Sequence, residues 1–510
     1  MKKYILGFDG GTGGVRAGIH DKEGNELAFA STEYPTSHPH SGWAEQEPDD
    51  WWDCAAQSVR AAIKAAGINK EEIAAVSYDL TCCSVMLCMN DGTPLRKPLI
   101  WMDVRASEEA AFITSTGNPA LKYNGFGNAS AEWMPCKALW LKKNEPENYA
   151  KAEKLCEYAD WITFKMTGQW TANMSNVSAR WYYDTENGGF PRDFYEEIGL
   201  EDALEKFPQK VNYLGDVLGK ITKEAAKHLG LSEDTIVGQG GVDAWVGVLG
   251  LGVTSPGKIA LITGSSHLIA CLTDNYTYTR EGVWGPYPDA VIKGLGLVEG
   301  GQTSSGSILS WFKKHFCKDL DALPEGAYDI LNREASKIAP GAEGLLVLDW
   351  WQGNRTPYTD MELRGMIYGL SLGHTQAHIF RAIMEGVAFG TENVFASFRR
   401  AGFPVDDIYI GGGTTNSELF MQIHADVSNV NIHVPENPQI PTMGSAIIAA
   451  KAAGFYNTLE DAAASMVRYS KTIRPNAKNH EAYKKIFAQY QKAYPQCGQW
   501  MKETRLAYGK

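Results

Sequence analysis

Apolar segments at the start of the chain alternate with short polar turns, a pattern that predicts consecutive β-strands. Residues 4–8 and 15–19 are apolar runs of strand length, and residues 10–14 between them are glycine and threonine. The sequence at 21–24 is typical of a hairpin turn, and a third strand is predicted over 26–33. The chain therefore opens with a β-meander whose first turn has almost no side-chain bulk.

A related pattern recurs near the middle of the chain. Strands are predicted over 258–262 and 267–272, separated by the small-residue turn 263–266. Two hairpins with such turns, about 250 positions apart, indicate two similar halves. We place the boundary in a glycine-rich segment, which gives an N-terminal domain over 1–252 and a C-terminal domain, with a helical tail, over 253–510.

A third landmark combines a strand, a glycine turn and a helix. The strand is predicted over 408–410, the turn over 411–417 and the helix over 418–427. This arrangement aims backbone N–H groups at a bound anion or nucleotide. The predicted mixture of β-strands and α-helices indicates an α/β protein.

Charge and composition limit the kinds of molecule that the protein is expected to bind. The 510 residues carry a formal net charge of −12, with 44% hydrophobic and 21% charged residues, which is typical of a globular enzyme. An acidic surface repels a phosphate backbone, so we expect no nucleic acid as partner. An anionic ligand such as ATP must then be bound by local donors, which glycine-rich turns supply.

Membrane association and disulfide bonds are not expected. No apolar run reaches about 18 residues, and the N-terminal segment lacks the apolar core of a signal peptide. The nine cysteines are scattered and never form a C-x-x-C pair, which argues against a disulfide framework and a zinc site. The sequence therefore predicts a cytoplasmic protein.

The first glycine-rich turn combines a carboxylate, small residues and an arginine. Asp9 at a strand end suits Mg²⁺, held directly or through water. The N–H groups of Gly11 and Gly13 can approach phosphate oxygens, Thr12 can donate its hydroxyl, and Arg16 can pair with phosphate or a carboxylate. A plain hairpin that needs glycine is the alternative. No Gly-Lys-Ser sequence follows and the next element is a strand, which excludes a P-loop and a dinucleotide fingerprint.

Asp243 is the one charged residue within the stretch 235–251. Burying an acid is costly unless the acid is used or paired. A buried aspartate can accept the proton of a sugar hydroxyl as that hydroxyl attacks phosphorus. The alternative is an aspartate that caps a helix beginning at Ala244. The residues alone leave both roles open.

A second turn rich in hydroxyl groups joins the strands of the middle hairpin. Its candidate residues are Gly264, Ser265 and Ser266. We expect this turn to face the first one across a cleft and to offer further donors to phosphate. Ordinary solvent-exposed turn chemistry is the alternative.

Polar and aromatic groups suited to a sugar follow several predicted strand ends. The candidates are Asp79, Thr81, Trp101, Asp103, Glu299 and Gln302. An aromatic ring against the apolar face of a sugar, with charged groups on its hydroxyls, is an effective means of recognition. A core tryptophan, a helix-opening aspartate and simple ion pairs are the alternatives.

Taken in this order, the segments resemble the FGGY family of carbohydrate kinases over residues 4–453. The resemblance is carried by residues 9–12, 42–52, 101–105, 240–245, 263–266, 382–386, 411–416 and 443–446. It implies two ribonuclease-H-like domains, as in actin and hexokinase, around a central ATP cleft. It also implies Asp243 as the catalytic base.

Within this family the resemblance is strongest to ribulokinase-type pentulose kinases. It is carried by residues 78–85, 299–302 and 348–357. Glycerol kinases place an Arg-Glu pair near Thr81 and xylulokinases a Met-His pair, and this chain has neither. The chain departs from the ribulokinase pattern at Cys83, where a serine is usual, and at Arg180, which replaces a nearby Tyr-Lys and is a candidate sugar contact.

The resemblance implies transfer of phosphate from ATP to the terminal hydroxyl of a small sugar, above all a pentulose such as ribulose. The expected ATP contacts are Gly11, Thr12, Gly13, Arg16, Gly264, Ser265, Ser266, Gly412, Gly413 and Asn416. Mg²⁺ is expected at Asp9 and Asp243. A xylulose, erythritol or glycerol kinase is the alternative, as is a non-catalytic sensor of sugar or nucleotide. The oligomeric state stays open, with a homodimer as one candidate.

Overall fold

The computed structural model describes residues 2–185, 187–279 and 281–508. In the first half of the chain the strands are β1 Tyr4–Gly11, β2 Gly14–Asp21, β3 Glu26–Glu33, β4 Ile73–Leu80, β5 Val85–Cys88, β6 Lys154–Glu157, β7 Thr171–Asn173, β8 Lys210–Asn212, β9 Val217–Lys220, β10 Ile236–Gly238 and β11 Gly241–Val242. The helices there are α1 Pro48–Ala66, α2 Ser107–Thr116, α3 Met134–Asn144, α4 Pro146–Lys151, α5 Tyr158–Thr167, α6 Met174–Arg180, α7 Arg192–Glu197, α8 Ala203–Lys206, α9 Lys223–Leu229 and α10 Asp243–Gly250.

The second half repeats the alternation of strands and helices. Its strands are β12 Lys258–Thr263, β13 His267–Thr273, β14 Trp284–Pro288, β15 Gly296–Gln302, β16 Leu346–Leu348, β17 Met366–Tyr368, β18 Asp407–Gly412, β19 Asn431–Pro435 and β20 Tyr469–Ile473. Its helices are α11 Gly306–Phe316, α12 Lys318–Asp321, α13 Ala327–Ala335, α14 Gln376–Arg400, α15 Glu418–Ser428, α16 Ile440–Ala452, α17 Leu459–Met466 and α18 Ala477–Ala507. Short 3₁₀ helices cover Lys70–Glu72, Pro119–Tyr123, Ala342–Gly344 and Gly413–Asn416.

Each half is built on one mixed sheet. The strand order is β3-β2-β1-β4-β10-β9 in the first sheet, where β11 also pairs with β4, and β14-β15-β13-β12-β18-β19-β20 in the second. In both sheets an antiparallel hairpin, β1–β2 or β12–β13, is followed by a parallel neighbour, β4 or β18. The prediction of two similar halves in an α/β protein is therefore confirmed.

The first glycine-rich turn is shorter than the sequence predicts. β1 continues through Gly11, which pairs with Gly14 at the start of β2, so only Thr12 and Gly13 form the turn. The antiparallel ladder extends because glycine adopts the extended conformation as readily as the turn conformation. The expected five-residue turn is thus corrected to a two-residue one.

Helices α10 and α16 join the two halves. α16 packs on β1 and β4 of the first sheet and on α10. A Cβ on Gly250 would lie 2.0 Å from the carbonyl oxygen of Ile440, and a Cβ on Gly444 would lie 2.1 Å from that of Val246. Only glycine permits this backbone contact, which fixes the two halves against each other beneath the carboxyl ends of β1, β4 and β11.

Other features bear on the class of protein. Among the residues described, no helix is long and apolar enough to cross a membrane. The nine cysteines are all free thiols. The C-terminal helix α18, expected from the sequence, packs back on α15.

Candidate active site

Three aspartates meet at the carboxyl ends of neighbouring strands. In the parallel pairing of β1 with β4, Asp9 lies opposite Asp79, and Asp79 is in turn opposite Gly241 of β11. Asp243 follows β11 directly as the first residue of α10. Residues 70 positions or more apart along the chain are therefore neighbours because parallel strands end at one edge of the sheet.

The environment of this cluster favours protonated carboxyl groups. Burial, together with the charge of the nearby Asp9, raises the pKa of Asp243 to about 7, against the opposing effect of the Ala244 N–H. The pKa of Asp79 is raised well above its usual range, by burial and by Asp9. Burial also raises the pKa of Asp9, against the opposing effect of the Arg16 guanidinium 2.6 Å away.

Asp243 begins a helix and also remains available to a ligand. It is the first helical residue of α10, preceded by Val242 as N-cap, so the predicted start at Ala244 is corrected by one position. Its Oδ1 accepts a hydrogen bond of 2.7 Å from the N–H of Ala244, and its side chain also lines a cavity. A pKa near neutrality suits a general base.

The turn at Thr12 is held so that its hydroxyl hydrogen is free for a ligand. The indole nitrogen of Trp101 donates a hydrogen bond of 2.8 Å to Thr12 Oγ1, and Gln46 donates one of 2.7 Å to the Thr12 carbonyl. Because an indole N–H can only donate, the Thr12 hydroxyl is an acceptor in this contact and can donate its own hydrogen elsewhere. A Cβ on Gly13 would meet nothing within 4 Å, which leaves this backbone open to an approaching phosphate.

A cavity of about 330 Å³ brings the predicted sugar and phosphate groups together. We call it the sugar cavity. Its lining includes Thr12 of the first turn, Ser266 of the second turn and Asp243. The remaining lining residues are Thr81, Cys82, Cys83, Trp101, Glu132, Trp133, Arg180, Val242, Ala244, Trp245, Leu268, Trp284, Glu299 and Arg355.

Arg180 and Glu299 form the polar pair of this cavity. Arg180 Nη1 donates to Tyr287 Oη at 2.8 Å, and its Nη2 lies 3.3 Å from Glu299 Oε2. The same carboxylate oxygen accepts a hydrogen bond of 3.0 Å from the indole of Trp245. Aromatic rings therefore surround a guanidinium and a carboxylate that can both form hydrogen bonds with sugar hydroxyl groups.

Three predicted sugar residues are not among those that line the cavity. Asp79 Oδ2 accepts a hydrogen bond from Ser445, whereas its Oδ1 has no partner among the described residues. Asp103 is fully buried and bonded to the guanidinium of Arg105. Gln302 is buried within a network of its own, in which it donates to Asp349 at 2.8 Å. These three side chains are hydrogen-bonded to neighbouring protein groups, and their predicted direct contact with a sugar stays a prediction.

A second cavity, of about 480 Å³, lies on the side of the second half, and we call it the nucleotide cavity. The predicted residues Gly264, Ser265, Gly413 and Asn416 line it. Further lining residues, which the sequence did not single out, are Gly306, Ser307, Leu309, Ser310, Tyr328, Asp329, Asn332, Phe380, Met384, Thr414, Ser417 and Phe420. Aromatic and apolar side chains beside polar ones are typical of a pocket for a nucleoside.

The second small-residue turn connects the two cavities. Gly264 and Ser265 line the nucleotide cavity, and the next residue, Ser266, lines the sugar cavity. The turn is braced by the glycine turn after β18, because Gly412 has φ +111° and a Cβ there would lie 1.9 Å from the Thr263 carbonyl oxygen. A chain of phosphates that follows this turn would run from one cavity into the other.

The aspartate cluster offers a limited set of metal ligands. No group of three or more His, Cys, Asp or Glu side chains that could hold a metal ion occurs among the described residues. Mg²⁺ commonly takes only one or two carboxylates and completes its shell with water and phosphate oxygens. Asp9 and Asp243 lie near enough for the charge of one to raise the pKa of the other, and a cation beside them would relieve that repulsion. The residues present therefore fit a nucleotide-bound Mg²⁺.

Several lining residues escaped the sequence reasoning. Trp133 and Trp284 come from a loop and a strand start that no spacing relates to the motifs, whereas Arg355 lies within the segment 348–357 but was given no role. Trp245 and Ser445 lay within motifs used for the family resemblance, and their hydrogen bonds to Glu299 and Asp79 were not foreseen. A tryptophan two residues after Asp243, within the same motif, was the available signal.

Comparison with known proteins identifies the family. The model of the FGGY family of carbohydrate kinases, N-terminal domain, matches residues 4–250, and that of the C-terminal domain matches residues 259–453. A ribulokinase of Anoxybacillus flavithermus is 32% identical, over 98% of this chain and 95% of its own. A xylulose kinase of Staphylococcus epidermidis is 27% identical, over 98% of both chains.

Solved structures share the fold. A xylulose kinase from Rhodospirillum rubrum superposes with a TM-score of 0.87 at 24% identity, over 98% of this chain and all of the other. A gluconate kinase from Lactobacillus acidophilus gives a TM-score of 0.88 at 23% identity, over 98% of each chain. This likeness confirms the predicted fold class. The chain belongs to the FGGY family of carbohydrate kinases and is a sugar kinase.

Proposed function

We propose that the protein transfers the γ-phosphoryl group of ATP to the terminal hydroxyl of a ketopentose, with ribulose as the substrate and Asp243 as the general base. The observation that carries this proposal is that Thr12, Asp243 and Ser266 line one cavity, while the turn containing Ser266 also borders a second one. Sugar and nucleotide then approach from opposite sides of a shared turn.

The nucleotide cavity suits the adenosine of ATP. Phe380 and Phe420 provide apolar surface for the base, and Asn332 and Asn416 provide polar groups. The glycine turn after β18 leaves space at Gly413, where a Cβ would meet nothing within 4 Å. Adenosine bound there directs its phosphates along Gly264 and Ser265 toward the sugar cavity.

The phosphoryl group needs donors rather than covalent partners, because its transfer depends on positioning and on charge stabilisation. The turn at Gly13 exposes backbone N–H groups, and Thr12 can donate its hydroxyl hydrogen. Ser265 and Ser266 offer hydroxyl groups from the opposite turn. Mg²⁺ held near Asp9 and Asp243 would neutralise charge on the phosphate oxygens when it is bound.

Asp243 performs the proton transfer. Its carboxylate lines the sugar cavity, and its pKa of about 7 allows it to be ionised before the reaction and to accept a proton during it. The Ala244 N–H fixes Oδ1, which leaves Oδ2 to meet the attacking hydroxyl. The O–P bond to the sugar forms as the bond to ADP breaks, and the hydroxyl proton moves to Asp243.

The sugar is bound by charged groups inside an aromatic wall. Arg180 and Glu299 provide donors and acceptors for hydroxyls, and Trp101, Trp133 and Trp284 provide apolar faces. Ribulose is favoured over other sugars because six relatives that are 30–32% identical over nearly the whole chain are named ribulokinases. A xylulose kinase is the second candidate, since a relative with that name is 27% identical.

A panel of sugars tests this proposal. The purified protein is incubated with ATP, Mg²⁺ and D-ribulose, L-ribulose, xylulose, erythritol or glycerol, and sugar-dependent ADP release is measured. We expect one ribulose to give the highest kcat/KM, with the product phosphorylated at C5. A higher kcat/KM for xylulose or a polyol would contradict the substrate, and ADP release unaffected by any sugar would contradict the kinase reaction.

A further inference from the structure

Two cationic side chains are found among the residues that line the two cavities, Arg180 and Arg355. Arg180 is compensated by the Glu299 carboxylate at 3.3 Å. Arg355 forms no side-chain hydrogen bond or ion pair with the residues that the structure describes, and its guanidinium carbon lies 5.2 Å from the centre of the Trp284 ring. A guanidinium that has no ion-pair partner and lines a substrate cavity is suited to bind an anionic group of the ligand.

The backbone on both sides of Arg355 is fixed. Thr303 Oγ1 donates a hydrogen bond of 2.8 Å to the carbonyl of Gly353, and the N–H of Gly301 donates one of 3.3 Å to Thr356 Oγ1. The loop that carries Arg355 is thereby attached to the end of β15. Its side chain is held in place by the sheet and by stacking on an aromatic ring rather than by an ion pair.

Arg355 lies between the sugar-binding pair and the phosphate turn. A Cβ on Gly301 would be 3.9 Å from Arg355 Cδ, and Gly301 shares a face of β15 with Glu299, two residues earlier. In the neighbouring strand Gly301 pairs with Leu268, two residues after Ser266. The guanidinium can therefore reach the boundary at which sugar hydroxyl and phosphate meet.

The transferred group needs positive charge at this boundary. The transferred phosphoryl group is anionic, and Asp243, which lines the cavity, is acidic, as are its neighbours Asp9 and Asp79. Arg16 is engaged by Asp9 at 2.6 Å, and the sequence contains no P-loop lysine after its glycine turns. A guanidinium can donate two parallel hydrogen bonds to phosphate oxygens.

We propose that Arg355 binds the phosphoryl group as it passes to the sugar and retains it in the sugar phosphate product. This inference rests on the proposed kinase reaction and adds a catalytic residue to it. No covalent step involves Arg355, which stays protonated and stabilises charge on the equatorial oxygens. If Arg355 retains the phosphoryl group in this way, the sugar cavity should bind a sugar phosphate more tightly than the free sugar.

Turnover by variants provides the first test. Arg355→Met removes the positive charge, whereas Arg355→Lys keeps the charge but lacks the two parallel donors of a guanidinium. The control, Arg400→Met, removes the charge of an exposed arginine that is paired with Glu281. We expect kcat to fall about 10²–10³-fold in Arg355→Met, less in Arg355→Lys, and not at all in Arg400→Met. The KM values for sugar and ATP should stay within about threefold of wild type.

Chemical rescue and binding separate a phosphate contact from other roles. Added guanidinium ion should restore part of the rate of Arg355→Ala, which a merely structural role would not allow. By titration calorimetry, Arg355→Met should lose at least tenfold in affinity for ribulose 5-phosphate and keep its affinity for ribulose. Equal losses for both ligands, or no loss for either, would overturn the assignment.

These outcomes are distinct from failure of the proposed function. If the wild-type protein phosphorylates no sugar, the kinase reaction is refuted by that result alone. If it phosphorylates a sugar and Arg355→Met retains the wild-type kcat, only the role of Arg355 is refuted. Circular dichroism of each variant verifies folding, and Arg355→Lys serves as the measurable variant if Arg355→Met is unstable.

Discussion

Ser445 donates a hydrogen bond of 2.6 Å to Asp79, although the two residues are 366 positions apart. Ser445 lies in α16 and Asp79 in β4, and both side chains are completely buried. This bond attaches a helix from the second half to the edge of the first sheet at which Asp9 and Asp243 also lie. It links the contact between the halves directly to the acidic cluster.

Replacing Ser445 by alanine should destabilise the protein. The Asp79 carboxyl group would lose its donor while remaining buried, so we expect the free energy of unfolding to fall by about 1–3 kcal/mol. Urea denaturation measures this change. Ser470→Ala, which removes an exposed hydroxyl bonded to a backbone carbonyl, is the control and should change stability by less than about 0.5 kcal/mol. Equal effects of the two substitutions would show that the buried hydrogen bond contributes no more to the free energy of unfolding than the exposed one.

Gly412→Ala should weaken ATP binding. Its φ of +111° is unfavourable for alanine, and the new Cβ would lie 1.9 Å from the Thr263 carbonyl oxygen, so the two turns beside the nucleotide must separate. We expect at least about a tenfold rise in the Kd of ATP, since small displacements of positioning groups have large effects. Gly373→Ala is the control, because its Cβ would meet only Ser371 at 3.8 Å. Unchanged nucleotide affinity in Gly412→Ala would contradict the assignment of this cavity.

Asp243→Asn should remove most turnover and spare ATP binding. The amide has nearly the same shape but cannot accept the hydroxyl proton, so we expect kcat to fall about 10²–10⁴-fold. Equilibrium binding of ATP, followed by calorimetry, should be unchanged. The same substitution at the exposed Asp234 should leave kcat unaffected. A rate near that of wild type in Asp243→Asn would show that another group takes the proton.

The rate should depend on pH through Asp243. Its pKa is raised to about 7 by burial and by Asp9, and only the ionised form can act as base. As the pH falls below about 7, kcat/KM should decrease, approaching tenfold for each pH unit. Stopped assays at fixed Mg²⁺ and ATP over pH 5–9 measure this limb. A flat profile down to pH 5 would contradict the assignment.

Two buried histidines should lower stability in acid, whereas the buried carboxyl groups with raised pKa, such as Asp79 and Asp243, act in the opposite direction. Burial lowers the pKa of His267 to about 3 and that of His424 to about 4, and their rings are 5.8 Å apart. Below pH 6.5 these two rings bind protons in the unfolded chain but not in the folded protein, so their contribution to stability falls as the pH decreases from 6.5 toward 4. Each histidine contributes up to about 1.4 kcal/mol per pH unit in this range.

Substitution identifies the contribution of each ring. Thermal unfolding is measured between pH 4.5 and 7.5, and on going from pH 7.5 to 4.5 the stability of His424→Gln should fall less, or rise more, than that of wild type. His40→Gln removes an exposed histidine and is the matched control, with a pH dependence like that of wild type. If His424→Gln shows the wild-type pH dependence, protonation of this buried ring does not limit stability in acid.

Local patterns in the sequence predicted much of the framework. Apolar periodicity and glycine-rich turns gave the two hairpins, the strand and helix around residues 411–417, and the C-terminal helix. These elements are determined by neighbours in sequence, since turns and amphipathic segments depend on residues a few positions apart. The family resemblance, and with it the sugar kinase reaction, followed from ordered motifs. The domain boundaries and the individual roles of the site residues stay predictions.

The sequence by itself determined the order of the elements, the family and the isolation of Asp243 among uncharged residues. Only the tertiary structure decided which polar groups line a cavity. Asp103 and Gln302 are bonded inside the protein, whereas Arg355, in a motif shared with relatives but given no role, lines the cavity. The physical reason is that exposure to a cavity depends on hydrogen bonds and packing between segments hundreds of residues apart, which no local pattern contains.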